Sequence, residues 1–562
     1  MHSPLAIGRT IRGTRRARQI FTILVRYGFS TVVQEIGLDR LLLKSRKAIG
    51  VAEPDAHVVR EPTEVRLRRA MEELGPTFIK LGQILSMRPD LVPPHWAEEF
   101  EKLQGEVPPV EFEQVRARLE EEYGDRLDEL FDSIEEEPLA AASIAQVHRA
   151  VLAGGERIVL KVLRPGIEEV IASDMDILHV IAEFAESHFS DLPYSPTEVV
   201  DQFSRELSRE TDMMHEARSA DRMRRGFQDN DAVTFPKIFW NATTPKVLAM
   251  EEIRGTLLSK MRTANLSESD RRAIVANGTD AVFRQCLEIG FFHADPHPGN
   301  IFALPGGRIC FIDCGMVGHI DPDTAGVLAD LVHGVIDGDL NRVVDVTLTL
   351  AGADPGLADD RTLRADTWEF ISRFERSTFD KLEMGNMLRD FFERIRRHQL
   401  RVPADIVFLI KAITTIEGVG EQLLPSFDIA AHVEPYLERL VRRRYGIGAL
   451  RRRFQDSMLG YAQLAESLPG QVRSLIYSFR RNRFTVNLEH RGLDRLTETM
   501  NRASGTIANA VFVAALILGS SILILADSTA GTRGALTIIA AIGFGMALII
   551  IAAHTLVTYI RR

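Results

Sequence analysis

Cysteine is scarce in this 562-residue chain, which has only Cys286, Cys310 and Cys314. Three cysteines cannot build a disulfide framework, so the sequence reads as that of a protein from a reducing compartment. Cys310 and Cys314 share an apolar stretch without CxxC spacing, which points to packing rather than zinc. Net positive charge is lacking as well. The formal charge of -10 argues against a nucleic-acid partner. Locally, however, acids are missing before Glu35, while Arg9, Arg12, Arg15, Arg16, Arg18 and Arg26 stand among Ile20, Phe21, Ile23 and Leu24. No apolar segment with a small-residue cleavage site is present there, so a secretory signal is not expected. A basic amphipathic segment lying on an anionic membrane, an organelle transit peptide and a helix docked on the protein all fit this start.

Charge is lacking altogether from residues 506–526 and 535–557. At ~1.5 Å per residue each run reaches about 30 Å, the thickness of a bilayer core. Residues 527–534 between them suffice only for a turn. The reading is a C-terminal transmembrane helical hairpin, with buried core helices as the alternative. Before it, residues 442–495 hold twelve Arg against Asp456, Glu466, Glu489 and Asp494. Those basic flanks, with Arg561 and Arg562, place both outer ends on the cytoplasmic side.

The most informative stretch is Phe291-Phe292-His293-Ala294-Asp295-Pro296-His297-Pro298-Gly299-Asn300, which carries the pattern H-x-D-x-x-x-x-N. A strand ending in Asp313-Cys314-Gly315 follows. In phosphoryl transfer an Asp orients the attacking oxygen while an Asn and a second Asp hold the metal on the phosphates. The Gly306-Gly307 turn folds one strand back on the other and brings Asn300 and Asp313 side by side. A Pro- and Gly-rich loop of this length also occurs without function. His293-x-Asp295-x-His297 admits a metal-hydrolase reading too, but that leaves Lys161, Asn300 and Asp313 without a task.

Upstream, residues 138–163 read as a mixed sheet with a Gly154-Gly155 hairpin turn. In Arg157-Ile158-Val159-Leu160-Lys161-Val162-Leu163 a single Lys interrupts an apolar strand. Burying it is costly unless an anion meets it. A phosphate, and a carboxylate from Glu206, Glu210, Asp212 or Glu216 on the helical stretch after Pro196, would serve; edge-strand protection is the alternative. Residues 247–255 read as a strand running into a hinge between lobes. Residues 63–91 read as two amphipathic helices broken at Gly75-Pro76, with Lys80, Gly82 and Gln83 interrupting the second apolar face. By pattern alone Lys80 and Gln83 belong to a solvated face.

The order of these elements closely resembles the UbiB family of atypical kinase-like proteins, whose mitochondrial members are called ADCK proteins. The resemblance covers roughly residues 60–430. It implies an α+β, two-lobed protein-kinase-like fold that binds ATP with Mg2+ and supports ubiquinone (coenzyme Q) biosynthesis by ATP hydrolysis. It implies that Lys80, Gly82 and Gln83 pack over the active site where a protein substrate would enter. It implies that Ala140, Ala141, Ala142, Ser143, Ile144, Ala145 and Gln146 form an Ala-rich cover on the nucleotide in place of a glycine-rich loop. Lys161 then contacts the phosphates, Glu210 or Glu216 is its ion-pair partner, and Glu251 joins the nucleotide-binding set. Asn300 and Asp313 take the metals. Asp295 is the base or water-positioning group, and Lys80 is counted with it as catalytic.

Two departures from the family pattern are Cys314 in place of the D-F-G Phe and Ser219 in place of an Asn. Ala294 replaces the Arg of H-R-D and no A-P-E follows, so switching by activation-loop phosphorylation is not expected. The expected organisation is a basic N-terminal segment (1–60), a helical extension (61–135), an N-lobe (136–256), a C-lobe (257–440), a basic juxtamembrane region (441–505) and a membrane hairpin (506–558). The expected setting is the bacterial inner membrane, with the kinase-like part on the cytoplasmic side. Expected partners are membrane lipids, polyprenyl quinone precursors and other quinone-biosynthesis enzymes. A true phosphotransferase acting on a protein or small hydroxyl compound is the alternative function.

Overall fold

The computed structural model describes residues 4–30, 60–86, 88, 91–103, 107–188, 195–261, 266–374, 384–398, 400 and 402–445. In the C-terminal part it describes 504, 508, 510–525, 538, 541–548 and 550. The chain forms two compact units, Met1–Phe454 and Gln455–Arg562.

In the first unit, an antiparallel sheet forms the N-lobe. Its strands are β1 (Phe131–Ile134), β2 (Ala140–Ala141), β3 (Ala145–Leu152), β4 (Arg157–Leu163) and, after the β5 of a second sheet, β6 (Val247–Glu251). The spatial order is β1-β3-β4-β6, with β2 on β3. The sheet therefore starts at Phe131, before the expected boundary at 136. The hairpin joins β3 to β4 with Gly155 at positive φ. One face is filled by Ile158, Leu160, Val162 and Ala249 against Val115, Leu119 and Tyr123 from the helix Phe112–Tyr123. That helix thus belongs to the N-lobe core. The alternate strand residue, Lys161, points to the other face.

The helical extension is built from α1 (Pro4–Arg26), α2 (Thr63–Leu74) and α3 (Pro76–Ser86). It packs on two helices inserted after β4, α4 (Ile167–His188) and α5 (Pro196–Glu210). One apolar cluster joins them: Ile20, Ile23, Met71, Phe78, Leu178, Phe203 and Leu207. The Arg-rich start is therefore docked on the protein over its described side chains. Arg16 Nε lies 2.6 Å from the fully buried Asp174. The same guanidinium donates to the Leu74 carbonyl, and Arg26 pairs with Glu73 at 2.5 Å. A buried carboxylate needs such a cation, so Arg16 is not free for a membrane, while Arg15 and Arg18 stay exposed.

The C-lobe begins with a small sheet in the order β5-β10-β9-β7. Its strands are β5 (Val233–Thr234), β7 (Thr256–Leu257), β9 (Ile301–Ala303) and β10 (Ile309–Phe311). β8 (Phe291–His293) pairs with β11 (Val317–His319). Helices make the rest: α7 (Glu268–Phe283), which follows α6 (Met213–Gly226) in the chain, then α8 (Pro322–Ile336), α9 (Leu340–Ala351) and, further on, α10 (Ala404–Leu423). The large core cluster runs from Ile144 to Leu440 and takes in Phe283, Phe292, Phe311, Leu331 and Ile413.

In the second unit residues 510–525 are helical and expose Val511, Phe512, Leu518, Ile522 and Leu525, with Ile538, Ile542 and Leu548 exposed beyond. A side chain at Gly543 would strike Ser520 Oγ, so glycine there lets the two segments touch. Among the described residues no helix is long and apolar enough to cross a membrane. The expected hairpin lies partly, and the juxtamembrane region largely, outside the described residues.

Candidate functional site

Four short elements converge where the lobes meet: β4, the junction of α5 with α6, the loop after β8, and the end of β10. Phe311 pairs with Ile301, and the Ile312 amide donates to the Asn300 carbonyl at 2.9 Å. The Gly306-Gly307 turn, both glycines at positive φ, closes the hairpin. Asn300 and Asp313 thus leave adjacent strand ends, as the spacing predicts. Asp313 has φ 57°, the only positive φ outside glycine among the described residues. Left-handed backbone costs an L-residue roughly 1–2 kcal/mol, and Asp is among the residues that tolerate it best.

His293 explains how the loop is held. Its Nε2 lies 3.1 Å from the Ile312 carbonyl and must donate to it. Its Nδ1 accepts from the Asp295 amide at 3.1 Å. Burial lowers the imidazole pKa, in keeping with a neutral ring in the Nε2–H tautomer. The His293 amide is in turn bound by Gln285 Oε1 at 2.9 Å. With both ring nitrogens committed to backbone, His293 is no metal ligand. His297 caps the next turn by accepting from the Gly299 amide at 3.0 Å. The metal-hydrolase alternative loses His293 on this geometry, and no cluster of three His, Cys, Asp or Glu suited to a metal occurs among the described residues.

Lys161 Nζ lies 2.9 and 2.8 Å from the two Glu216 oxygens and 3.3 Å from Asp313 Oδ1. The choice left open between Glu210 and Glu216 is therefore decided. α5 ends at Glu210, and Asp212 starts α6 by accepting from the Met214 amide at 3.0 Å. Glu216 stands on the first turns of α6 and faces β4. Glu210, across the break, pairs with Lys80 at 2.5 Å. Burial alone would lower the Lys161 pKa, but the Asp313 and Glu216 carboxylates raise it, so the ammonium stays charged. Burial pushes Glu216 up, against the pull of Lys161. Asp313 is held well below the usual carboxylate range by Lys161 first and Lys80 also, and half of its side chain faces solvent.

Lys80 corrects the pattern-based expectation of a solvated face: it is 9% exposed. Burial works to lower its pKa, and Glu210, Asp313 and Asp295 outweigh it. Its neighbours show why the motif has its composition. A side chain on Gly82 would overlap Leu103 and Met71, so glycine permits the close approach of α3 to α2 and to Leu103. Gln83 donates to the Leu103 carbonyl at 3.4 Å.

The Ala-rich run divides. Ala140 and Ala141 form β2, and Ala142 accepts at its carbonyl from Arg164 Nε at 3.0 Å. Ser143, Ile144 and Ala145 are buried. Gln146 is fully buried and spends its amide on both backbone groups of Val110, at 2.9 and 3.2 Å. Its side chain thus ties the sheet to the segment before Phe112 and is not offered to a ligand. The Glu251 side chain also turns elsewhere, accepting from the Lys237 amide in a separate cleft of about 970 Å³ lined by Arg254 and Arg308. Cys314 is buried in the C-lobe core, and Ser219 bonds the His215 carbonyl one turn back in its own helix. Burial first, and then the nearby Glu216 and Asp313 charges, push the Cys314 thiol pKa up.

Asp295 is a quarter exposed, and Lys411 Nζ stands 3.1 Å from its Oδ1. Burial would raise this carboxyl, but Lys411 leads the charges that hold it down. Lys411 was not foreseen, although it is a lone cation in the apolar run Ile406–Ile413. The donor set fits a hard cation: the Asn300 side-chain oxygen and an ionised, accessible Asp313 carboxylate suit Mg2+, which usually takes one or two protein oxygens plus phosphates and water. When bound, such an ion neutralises charge on the phosphates. The residues around it supply an ammonium at Lys161 and a carboxylate at Asp295.

Comparisons with known proteins follow the same elements. Residues 102–347 match the ABC1 atypical kinase-like domain, 369–428 the UbiB helical domain and 491–562 the ABC1/UbiB kinase-like C-terminal domain. A probable protein kinase UbiB of Pseudomonas putida is 35% identical over 446 residues, covering 77% of this chain and 81% of that protein. A counterpart in Pseudomonas aeruginosa is 34% identical, covering 79% and 84%. An uncharacterized protein of Synechocystis is 32% identical, covering 81% and 79%. A solved structure, Rv3197 of Mycobacterium tuberculosis with erythromycin, matches at 21% identity and TM-score 0.43, covering 64% of this chain and 94% of its own.

Proposed function

The chain belongs to the ABC1/UbiB family of atypical kinase-like proteins, and from that premise we infer that it is a membrane-anchored ATPase supporting ubiquinone biosynthesis. The observation that carries the reading is the joint placement of Lys161, Glu216 and Asp313 at one point. The ion pair that a phosphoryl-transfer site needs is formed there, beside the carboxylate that would take the metal. Lys161 and the ion on Asn300 and Asp313 would hold the phosphates of ATP. Asp295 would orient the attacking oxygen.

Water is the favoured acceptor. Lys80 and Glu210 form an ion pair over the site, which counts against an extended peptide entering by that side. The two charge-free runs at 506–526 and 535–557 support a membrane hairpin. Membrane placement would give the site access to polyprenyl quinone precursors and other enzymes acting on them. The test is phosphate release from Mg-ATP by the full chain in neutral and in anionic vesicles, at low and high salt, with Asp295→Asn alongside. Anionic vesicles should accelerate release, and salt should weaken the gain because exposed charges are screened. Equal rates in all four conditions would refute coupling to the membrane. Release that is indifferent to Asp295→Asn would refute the site.

A further inference from the structure

Taking the site as one of phosphoryl transfer, we propose that Lys411 is a positioning residue for Asp295: it fixes the carboxylate by Oδ1 and leaves Oδ2 for the attacking oxygen. The backbone of Asp295 is already held. Its amide donates to His293 Nδ1 at 3.1 Å, and its carbonyl accepts from Asn300 Nδ2 at 3.2 Å. The side chain is not fixed by these bonds. Among the described residues its one close polar partner is Lys411 Nζ, 3.1 Å from Oδ1. The other oxygen lies 3.9 Å from His297 Nε2, beyond hydrogen-bond reach.

The surroundings of Lys411 favour a purpose over accident. It sits in α10 between the buried Leu409, Ala412 and Ile413 and is itself only 25% exposed. Placing a cation there costs desolvation, which a carboxylate partner offsets. α10 is also fastened to the strand pair that carries the loop. Asp405, at its start, accepts from the His319 amide of β11 at 3.0 Å, and β11 pairs with β8. The ammonium therefore approaches Asp295 from an element in fixed register with the loop. An acid that must present one oxygen to an attacking group gains from having the other one held, because misplacement of about 1 Å can cost on the order of 100-fold in rate.

The experiment compares full-chain wild type, Lys411→Met, Lys411→Arg, Asp295→Asn and the Lys411→Met/Asp295→Asn double variant. It reads kcat and KM for ATP in phosphate release, and thermal stabilisation by Mg-ATP. Lys411→Met should lower kcat about 10- to 100-fold while KM and the stabilisation stay within about twofold, since Lys161, Asn300 and Asp313 hold the nucleotide. Lys411→Arg should recover most of the rate, because a guanidinium also binds one carboxylate oxygen. The double variant should be no slower than Asp295→Asn alone. Unchanged kcat in Lys411→Met, additive losses in the double variant, or parallel loss of turnover and Mg-ATP stabilisation would each overturn the proposal. A wild type without Asp295-dependent release would overturn the reading of the site itself, and this assignment with it.

Discussion

Asp313→Asn separates the charge of the site from its fold. Asn occupies the same volume and accepts a left-handed φ as readily as Asp, so the backbone at 57° should survive. Lys161 loses the opposite charge at 3.3 Å but keeps both Glu216 oxygens. What disappears is the ionised oxygen facing solvent. At Mg-ATP one hundred times its Kd, binding stabilises the wild type by about 2.7 kcal/mol. Unfolding entropy of about 2.1 cal/mol/K per residue, taken over the unit Met1–Phe454, sums to about 1 kcal/mol/K. The expected rise in Tm is therefore ~3 °C. In Asp313→Asn it should fall below about 1 °C, while the ligand-free Tm stays close to that of the wild type. Wild type given ATP with EDTA should behave like the variant given Mg-ATP. Differential scanning fluorimetry on the full chain reads all of these. Equal Mg-ATP shifts in wild type and variant would refute the metal assignment, and a collapsed ligand-free Tm would refute the claim that the charge serves only the site.

Three further outcomes are expected. Lys80→Ala removes a cation that faces Asp313 and Asp295, so it should lower the Mg2+ concentration needed for half-maximal turnover without abolishing Mg-ATP stabilisation; an unchanged Mg2+ dependence in the phosphate-release assay would contradict this. Truncation at Ser504 removes both charge-free runs and should make the protein extractable by alkaline carbonate, since no other stretch reaches about 20 uninterrupted apolar residues; resistance to extraction would contradict the hairpin. Glu99 bonds Lys102 and Arg68, which hold its pKa below the ordinary value. A depressed carboxyl stabilises the fold above its unfolded pKa and loses that contribution as pH falls through the folded one. The Tm gap between wild type and Glu99→Gln should therefore be widest near neutrality and close below about pH 4; a gap independent of pH would contradict the ion pair.

How much of this was legible in the sequence differs from residue to residue. Lys161 announced itself because a cation inside the otherwise apolar run Ile158–Leu163 demands an anion, and the demand is met by Glu216. Asn300 and Asp313 followed from hairpin geometry. Glu210 and Glu216 did not separate, because what distinguishes them is the helix break at Thr211-Asp212. In sequence Asp212 is one more acid in a charge run; in the fold it is a cap. The part played by the Gln146 side chain was hidden for a related reason: only the fold reveals that the Val110 backbone uses both ends of its amide. Lys411 obeys the rule that found Lys161, but a 3.6-residue period always leaves some positions facing outward. A single Lys in an apolar helix is thus weaker evidence than one in an apolar strand.

The same distinction bears on Lys80 and on how the site could respond to a membrane. Turning the side chain away breaks its pair with Glu210 and leaves that carboxylate, only 16% exposed, without its cation. Moving α3 alone is no easier, because Phe78 and Ile79 are buried in the cluster that holds Ile20, Met71, Leu178 and Phe203. Stripping even one such side chain from its neighbours costs on the order of 2–3 kcal/mol. Displacement of the helical extension with α4 and α5 as one body would carry Lys80 and Glu210 together and keep their pair intact, at the cost of the Arg118–Glu168 pair and of the packing of Ile167 in the large core cluster. Glu216 would not follow, since it stands on α6 beyond the break and is anchored to Lys161. Turning about the break at Thr211-Asp212, such a displacement would shift Lys80 relative to Asp313 and Asp295 while leaving the Lys161–Glu216 pair in place.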